Sequence, residues 1–356
     1  MSLFNDALKS GESLFLNEFA LDYNFVPKLL PYREGEQRHL ATCIMPLLQN
    51  RNGRNLLIHG APGIGKTAAM RWVFRDLENE TDDVIPIYVN CWQKNTSYKI
   101  VLEICETLGY RLTHNKRTEE LLDVVKEFAN KKPLVFAFDE IDKVDDYGFL
   151  YTLLEDIFKK SIFLITNHKD WLLDMDQRIK SRLTPEMVEF KKYNLNEIKG
   201  ILKERAQYAL VPGTLEQGAL DIIAEKTHMM EDIRTGIYLL REAALIAESK
   251  SSKKITEEHA KAAMEKLEEF SAKKKEDMED EMKMMLEIVK KNSGQKIGDL
   301  FKTYQAEGGN LVYKSFQRKM RKLADGKFVT IQTIKGGSEG TTSIITYQTT
   351  KKLTEF

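Results

Sequence analysis

Apolar and polar positions divide the chain into three stretches. Up to about residue 192, short apolar runs alternate with segments of helical spacing, and from there to about residue 275 only helical spacing remains. The last stretch has helical segments followed by two β-rich runs. Continuous apolar runs separated by helices indicate a parallel sheet that is buried on both faces. We therefore predict an α/β domain over 1–192, an all-helical domain over 193–275 and a mixed domain over 276–356.

The first stretch begins with an amphipathic lead-in of about twenty residues and an extended segment at 25–34. Helical spacing then occurs at 37–49, 68–77, 97–108, 119–129 and 147–159. Apolar runs occur at 55–59, 84–90, 133–140, 161–167 and 187–190. Five such runs with helices between them predict a five-stranded parallel sheet with helices on both faces.

The second stretch has two segments with the spacing of a helix capping box. They are Asn194–Glu197 and Thr214–Gln217, and each precedes an apolar stripe at helical spacing. Further helices are predicted at about 230–247 and 256–270. A charged run at 273–281 is either a linker or part of one long helix.

The third stretch has the pattern of a winged helix. Helical segments at about 280–291, 297–305 and 312–324 precede β-rich runs at 328–334 and 343–347, with glycine-rich residues 336–341 between the runs. In the third helix, Val312, Phe316, Met320 and Leu323 form one apolar stripe, while Lys314, Gln317, Arg318 and Arg321 lie on the opposite side.

A glycine-rich loop follows the first apolar run and leads into a helix. Its residues are Gly60, Ala61, Pro62, Gly63, Ile64, Gly65, Lys66 and Thr67, followed by Ala68, and they match the phosphate-binding pattern G-x-x-x-x-G-K-[ST]. Glycines let successive N–H groups turn toward an anion, and the helix N-terminus adds its positive end. We expect Lys66 to reach the β- and γ-phosphates and Thr67 to ligate Mg²⁺. The sequence predicts a nucleotide site, and a simple β–α turn is the alternative.

Polar residues also end two later apolar strands. Asp139 and Glu140 follow the run at 133–138, and Asn167 ends the next one. Asp139 is expected to hold Mg²⁺ and Glu140 to act as general base toward the attacking water. Asn167 is expected to reach the γ-phosphate or that water. A solvated acidic pair and a strand-end turn residue are the alternatives.

The amino-acid composition indicates the cellular compartment. The 356 residues carry 54 basic and 54 acidic side chains, so net charge indicates no partner. The three cysteines, Cys43, Cys91 and Cys105, have neither metal-ligand nor C-x-x-C spacing, and their odd number argues against a disulfide framework. We expect a soluble protein of the reducing cytoplasm, associated with the nucleoid and without a membrane partner.

Charge is distributed unevenly along the chain. From Ile288 to Phe356 there are 13 basic and 5 acidic residues, an excess of eight positive charges in a neutral chain. A basic, polar helix face opposite an apolar one suits a major-groove recognition helix. The predicted DNA contacts are Lys314, Gln317, Arg318, Arg321, Lys322 and, in the hairpin, Lys335. A solvated basic helix without DNA is the alternative.

The loop, the acidic strand, the polar strand end and the helical stretch together resemble AAA+ ATPases. Further segments narrow the resemblance: 25–27, 30–34, 88–91 with Thr96 and Tyr98, 177–183 and 231–241. With them the chain is similar to the archaeal origin-recognition initiator family, which is related to the eukaryotic origin recognition complex and its helicase-loading partner. The resemblance runs from about residue 12 to the C-terminal hairpin.

The resemblance implies roles that spacing does not supply. Arg182 stands where AAA+ proteins carry the arginine finger for a neighbouring subunit, with Arg178 as the alternative, and Arg234 stands at the "sensor 2" position. Val26, Pro27 and Arg33 fall in the segment that borders the adenine. ATP with Mg²⁺ is the implied nucleotide, and ADP is often retained tightly.

The resemblance also implies DNA contacts by an insertion in the ATPase domain, which corresponds to residues 111–117 with Lys116 and Arg117 foremost. A solvated loop is the alternative there. The chain departs from the family pattern at Tyr32, where histidine is usual, and at the hairpin tip, where Glu339 disfavours contact with phosphate.

The first functional hypothesis is therefore an initiator that binds double-stranded origin DNA. It would use slow ATP binding and hydrolysis as a switch for assembly with homologous AAA+ subunits and for loading the replicative helicase. The second hypothesis is a signalling-type ATPase whose winged helix binds protein or regulates transcription. A transposition or plasmid-replication ATPase is the third.

Overall fold

The computed structural model describes residues 13–23, 25–276, 280–326, 328–336 and 340–348. Within these, only the backbone is described at 269–276, 280, 325, 333–336 and 340–341. The chain forms two compact units, residues 1–264 and 265–356. The first unit holds the sheet and the helices that follow it, and the second holds a smaller sheet with its own core. The boundary predicted near residue 192 lies within the first unit and stays a prediction.

Five parallel strands form the centre of the first unit, as predicted. They are β1 (Leu56–His59), β2 (Ile85–Asn90), β3 (Leu134–Asp139), β4 (Lys160–Thr166) and β5 (Glu186–Glu189), in the spatial order β2-β3-β4-β1-β5. Every residue of β1, β3 and β4 is buried, because these strands lie inside the sheet and are covered on both faces. Strand β5 is an edge strand, and its residues alternate between half-buried and exposed.

Helices cover both faces of this sheet. They are α1 (Glu34–Leu48), α2 (Lys66–Glu80), α3 (Ser97–Thr107), α4 (Thr118–Lys131), α5 (Gly148–Asp156) and α6 (Gln177–Leu183), with short 3₁₀ turns at Ile141–Lys143 and Lys169–Asp174. Phe136 and Phe138 of β3 pack toward α3, α4 and α5, whereas Val135 and Ala137 pack toward α1 and α2. The alternation follows from the two-residue period of a strand.

Four helices follow the sheet: α7 (Leu195–Ala209), α8 (Gln217–Met230), α9 (Ile233–Ser249) and α10 (Glu257–Glu276). The predicted capping box at the start of α7 is confirmed, since Glu197 N–H donates to Asn194 Oδ1 at 3.0 Å and Asn194 N–H donates to Glu197 Oε2 at 2.8 Å. The helix predicted over 230–247 begins later, because Glu231 has a left-handed backbone with φ of 54°.

The second predicted capping box, Thr214–Gln217, is wrong. The Thr214 hydroxyl donates back to the Val211 carbonyl at 2.7 Å, and the Thr214 carbonyl accepts from Ile255 N–H at 2.7 Å. The neighbouring Leu215 forms a parallel bridge with Ile255. These non-local bonds take up the backbone that a cap would use, so α8 begins at Gln217.

The N-terminal segment packs on these helices. Phe15 forms an antiparallel bridge with Leu210, and the 3₁₀ turn Glu18–Leu21 buries Ala20 and Leu21. Arg241 of α9 pairs with Glu18 at 2.7 Å. From residue 13 onward, the predicted lead-in therefore packs against the helices that follow the sheet.

The second unit contains α11 (Asp280–Lys291), α12 (Ile297–Ala306) and α13 (Tyr313–Asp325). Strands β6 (Gln295–Lys296), β7 (Val329–Gly336) and β8 (Gly340–Tyr347) form an antiparallel sheet in the order β6-β8-β7. Three helices and a hairpin give the predicted winged-helix arrangement, and Glu339 at the predicted tip lies outside the described residues. Phe316, Met320 and Leu323 of α13 are fully buried, but Val312 is 69% exposed and precedes the helix. Including Val312 in the apolar stripe was therefore wrong.

The capping box at α7 gives a prediction about stability. Replacing Asn194 by alanine removes the acceptor for the Glu197 N–H, so we expect a loss of about 1 kcal/mol in the free energy of unfolding. Chemical denaturation of the full chain measures this loss. Asn194→Asp keeps an acceptor and is the control, expected to stay near wild type. Equal stability of Asn194→Ala and wild type would contradict a capping role.

Candidate nucleotide-binding and nucleic-acid-binding sites

The order of the strands brings the predicted catalytic residues to one edge of the sheet. Strand β4 lies between β1 and β3, so the residue after β4 stands between the loop that follows β1 and the acidic pair that ends β3. In parallel sheets, ligands bind beyond the carboxyl ends of the strands, where neighbouring loops diverge. Sequence alone placed Asn167 at a strand end, and the strand order explains why it reaches the loop.

The glycine-rich loop has the backbone that its sequence predicts. Gly60, Gly63 and Gly65 have φ of 148°, 75° and 92°, values that residues with a side chain rarely adopt. A Cβ on Gly63 would lie 2.0 Å from Asp232 Oδ1, and one on Gly60 would lie 2.5 Å from the Phe190 carbonyl oxygen. The loop is thus packed closely between the sheet and the start of α9.

Lys66 is the first residue of α2 and is 7% exposed. Its Nζ donates at 2.8 Å to the carbonyl oxygens of Gly60 and Ala61 and to Asn167 Oδ1. Burial lowers the pKa of Lys66 to about 8, although the nearby Asp139 raises it. The Lys66 ammonium is therefore held by two carbonyls of its own loop and by the Asn167 amide.

Thr67 and Asp139 meet as predicted. The Thr67 hydroxyl donates to Asp139 Oδ2 at 2.5 Å, and the Tyr88 hydroxyl donates to the same oxygen at 2.8 Å. A hydroxyl and a carboxylate are hard oxygen ligands of the kind Mg²⁺ uses, so these two residues fit the expected metal. Tyr88 is an unpredicted member of the site. Its signal in the sequence is its position two residues before the end of β2, on the strand beside β3.

Glu140 directly follows β3 and has a left-handed backbone with φ of 55°. Such a conformation costs free energy in a residue with a side chain and is common at functional sites. Burial is the main cause of a raised pKa at Glu140, and the negative charges of Asp139 and Asp142 raise it further. A carboxylate with a raised pKa is a better acceptor of a proton from water.

A mainly apolar cleft adjoins the loop at Gly65 and Ala68. Pro27 lines it, as do Leu30, Pro31, Tyr193, Ile201, Glu204, Arg205, Tyr208, Ile233 and Ile237. Glu204 Oε1 is buried and has no hydrogen-bond partner among the described residues. Glu204 could not be singled out from the sequence, because its polar side chain on α7 has no motif around it.

The other two residues of the predicted adenine segment have structural contacts. The Val26 carbonyl accepts from Arg75 at 3.0 Å. Arg33 is 4% exposed and donates to the Ile64 carbonyl of the loop at 3.1 Å and to the Lys191 carbonyl at 2.5 Å. Its guanidinium also lies 3.9 Å from the centre of the Tyr193 ring. Arg33 therefore supports the loop from beneath instead of lining the cleft.

Arg234 lies in the first turn of α9, which begins beside the loop. Asp232 caps this helix, and Ile233 N–H donates to the Gly63 carbonyl at 3.2 Å. The positive charge of Arg234 contributes to lowering the pKa of Lys66 and opposes the rise in the pKa of Glu140. In the part of the chain that the structure describes, the Arg234 side chain forms no ion pair or hydrogen bond.

The two candidate fingers lie on α6, and each has a partner in the same chain. Arg182 pairs with Glu155 and lies 4.9 Å from the centre of the Tyr151 ring. The Arg178 side chain is 76% exposed and pairs with Asp176 at 3.1 Å. The structure brings neither of them to the loop of its own chain.

The second unit presents a basic helix face. Lys314, Arg318, Arg321 and Lys322 of α13 are exposed, and none of the four forms an ion pair among the described residues. Gln317 is half-buried. The remaining cation, Lys319, pairs with Glu281 at 3.1 Å and is directed away from solvent, with 16% of its side chain exposed. Lys335 lies in β7, and its side chain is outside those described.

The segment at 111–117 is an irregular connection between α3 and α4. Lys116 Nζ lies 5.7 Å from the centre of the Tyr110 ring, and Arg117 is exposed at the start of α4. Its backbone N–H donates to Glu120 Oε2 at 2.7 Å. The structure leaves both cations available at the surface.

Known proteins share this arrangement. Residues 199–265 match the family model of the Cdc6 AAA+ ATPase-type lid domain, and residues 49–169 match that of an AAA domain. An ORC1-type DNA replication protein 1 of Sulfurisphaera tokodaii is 32% identical over 274 residues, which are 73% of this chain and 68% of that protein. This chain belongs to the ORC1-type family of DNA replication proteins. The ORC1-type DNA replication protein 2 of Methanosarcina acetivorans is 28% identical over 96% of this chain and 95% of its own.

A solved structure agrees with this assignment. The Aeropyrum pernix Orc1 protein in complex with DNA has a TM-score of 0.73 at 25% identity, with 94% of both chains covered. The ORC1-type chain described here is accordingly an AAA+ ATPase with a Cdc6-type lid, as its resemblance implied. Within its described residues, no helix is both long and apolar enough to cross a bilayer.

The pKa of Lys66 gives a prediction about nucleotide affinity. Below pH 8 its ammonium is already charged, so affinity should be independent of pH. Above pH 8 the free protein must take up a proton to bind, so affinity should fall by up to roughly tenfold per pH unit.

Calorimetry in buffers with different ionisation enthalpies measures this proton uptake. Lys169→Ala, which removes an exposed lysine after β4, is the control and should keep the effect. Equal affinity and no proton uptake above pH 8 would contradict a lowered pKa for Lys66.

Proposed function

We propose that this protein is an ATP-dependent replication initiator that binds duplex origin DNA. ATP binding and slow hydrolysis act as a switch for assembly with homologous AAA+ subunits and for helicase loading. The observation that carries the proposal is the basic face of α13, whose four exposed cations have no acidic partner among the described residues, in a chain with an assembled ATPase site. The relative solved in complex with DNA supports the same ligand.

The triphosphate is bound by the loop from Gly60 to Thr67. Its N–H groups and the N-terminus of α2 face the phosphates, and Lys66 exchanges its contacts with loop carbonyls for contacts with phosphate oxygens. The adenine occupies the apolar cleft beside Ala68. Arg234 approaches the phosphates from α9, so the nucleotide joins the sheet to the helices that follow it. Thr67 and Asp139 would hold Mg²⁺, which would supply positive charge to neutralise the phosphates.

Hydrolysis depends on the two strand ends beside the loop. Glu140 takes a proton from the attacking water while the water oxygen bonds to the γ-phosphorus, and the bond from that phosphorus to the β,γ-bridging oxygen breaks to release ADP. Asn167 orients that water or the γ-phosphate. The hydrogen bond from Lys66 Nζ to Asn167 Oδ1 at 2.8 Å supports this assignment.

Replacing Glu140 by glutamine should therefore leave ATP binding intact and reduce hydrolysis at least about a hundredfold, in line with the contribution of general bases. Equilibrium binding of a fluorescent ATP analogue and a phosphate-release assay measure the two properties. Glu189→Gln changes another glutamate at a strand end of the same sheet edge and should hydrolyse ATP normally. Normal turnover in Glu140→Gln would refute the assignment of the base.

Assembly with a neighbouring subunit supplies a further positive charge at the γ-phosphate. Arg182 of one subunit leaves its pair with Glu155 and reaches the γ-phosphate of a neighbouring subunit. An exposed ion pair such as this one is weakened by solvent screening, so exchanging it for a phosphate contact is feasible. Hydrolysis in an isolated subunit is slow for this reason. Arg178, with its own exposed pair, is the second candidate for the finger.

DNA binding rests on the face formed by Lys314, Arg318, Arg321 and Lys322. Lys314, Arg318 and Arg321 follow one another at spacings of four and three residues, and Lys322 is next to Arg321, so all four lie on one side of the helix. The opposite side is packed into the core by Phe316 and Met320. The helix therefore offers a rigid basic surface to the major groove, with Lys335 of the wing and Lys116 and Arg117 of the ATPase unit as additional contacts.

Replacing Arg318 by alanine should weaken duplex binding by about 1–3 kcal/mol if it contacts a base, and by a smaller amount regardless of sequence if it contacts phosphate. Fluorescence anisotropy with origin and random duplexes, across salt concentrations, distinguishes the two outcomes. Lys302→Ala, which removes one exposed charge from α12 of the same unit, is the control.

An equal effect of Arg318→Ala and Lys302→Ala would indicate attraction to net charge alone. Duplex binding that is weak, independent of salt and unchanged by either substitution would favour the alternative in which the winged helix binds protein. Binding to DNA without preference for origins would favour a role in transcription or transposition.

A further inference from the structure

A second cluster of ligating side chains lies at the amino ends of the strands, whereas the nucleotide site lies at their carboxyl ends. Glu186 is the first residue of β5 and pairs with Leu56, the first residue of β1. His39 and Cys43 stand four residues apart on α1, which places both side chains on one face of that helix. The helix packs against the sheet, so three potential ligands from two elements converge at the amino ends of β1 and β5.

The atoms are close enough for a single ion. One nitrogen of His39, Cys43 Sγ and one carboxylate oxygen of Glu186 all lie within 4.8 Å of one another. Ligand bonds of about 2.0–2.3 Å in a tetrahedral zinc site separate the ligand atoms by roughly 3.3–3.8 Å. The three side chains therefore need to move by about 1 Å at most, which rotation of the partly exposed His39 and Glu186 side chains permits.

The contact between His39 and Glu186 is not an ordinary hydrogen bond. His39 Nε2 lies 3.1 Å from Glu186 Oε2, the distance of an ion pair when the ring is protonated, but Nε2 is buried and makes no hydrogen bond among the described residues. A buried polar nitrogen without a partner is uncommon, because leaving it unpaired costs free energy. A cation between the ring nitrogen and the carboxylate would satisfy both.

The surrounding residues fit the role of supports for such ligands. Arg54 Nη1 donates to the other carboxylate oxygen of Glu186 at 3.2 Å, which leaves Oε2 directed toward His39. The backbone of Cys43 is fixed through its carbonyl, which accepts from Arg54 N–H at 3.1 Å and from the Ser161 hydroxyl at 3.2 Å. Hydrogen bonds of this kind orient metal ligands in known sites.

We propose that His39, Cys43 and Glu186 form a binding site for a zinc-class divalent ion. One nitrogen, one thiolate sulfur and one carboxylate oxygen make a mixed donor set that suits Zn²⁺ and is unlike the all-oxygen set that Mg²⁺ prefers. The ion would join α1 to the edge strand β5, and water would complete the tetrahedron. Binding of this ion does not require a nucleotide in the site at the carboxyl ends of the strands.

The chemistry of the thiol sets the proton balance of metal binding. A zinc-class ion binds the thiolate form of a cysteine. As the metal–sulfur bond forms, the S–H bond breaks and the proton passes to solvent. No oxidant or reductant takes part.

The experiment is a Co²⁺ titration of the full-length protein after chelation, with excess Mg²⁺ present to occupy the nucleotide site. A thiolate bound to Co²⁺ gives a charge-transfer band in the near ultraviolet, which oxygen ligands do not give. We expect this band to saturate at one equivalent, to be displaced by Zn²⁺ and to be absent from Cys43→Ser. Cys91→Ser and Cys105→Ser change the other two buried cysteines and should retain it.

His39→Gln is the second variant, because a partly exposed side chain can be replaced without opening the core. It should lose the band or require at least tenfold more Co²⁺ while its thermal unfolding without metal stays close to wild type. Absence of the band in folded wild-type protein, or its persistence in Cys43→Ser, would overturn the proposal. Loss of the band in Cys91→Ser or Cys105→Ser alone would place the thiolate elsewhere and also overturn it.

Discussion

One buried ammonium connects the parts of the ATPase site. Lys66 donates to two carbonyls of its own loop and to Asn167, which follows β4. It thereby links the loop after β1 to the end of the neighbouring strand β4. Burying a charge is costly unless it is hydrogen-bonded on several sides, and these three acceptors satisfy it. The next residue, Thr67, makes the corresponding bond to Asp139 on β3. Two consecutive residues of α2 thereby set the positions of three strand ends.

Much of this arrangement was accessible from sequence, because local signals and tertiary structure agree. The loop needs glycine at three positions, and all three have backbone angles that require it. The runs at 133–140 and 161–167 are long, mostly apolar and end in polar residues, so the predicted strands agree with the observed ones to within one residue at each end. The capping box at Asn194 depends only on residues within four positions of one another, and it formed.

The errors and omissions have a common physical cause in contacts between distant residues. Thr214 has the local signature of a cap but bonds instead to a segment forty residues away, around Ile255. Val312 fits the helical period but stands just before the helix begins, and it is exposed. Tyr88, Glu204 and the group around Cys43 depend on which strands and helices become neighbours, and no periodicity encodes that. The cysteines have no metal-ligand spacing with one another, and the proposed site uses instead the four-residue spacing between His39 and Cys43.

The start of α9 rests directly on the phosphate loop. Ile233 N–H bonds to the Gly63 carbonyl, and the Asp232 carboxylate occupies the space where a side chain on residue 63 would be. Arg234 belongs to the same helical turn, so a movement of this turn away from the loop also carries the Arg234 backbone away from it. In the proposed function, release of the nucleotide would therefore be coupled to the opening of this junction. The lifetime of the nucleotide-bound state is then a property of the junction between loop and helix as much as of the contacts made by the nucleotide itself.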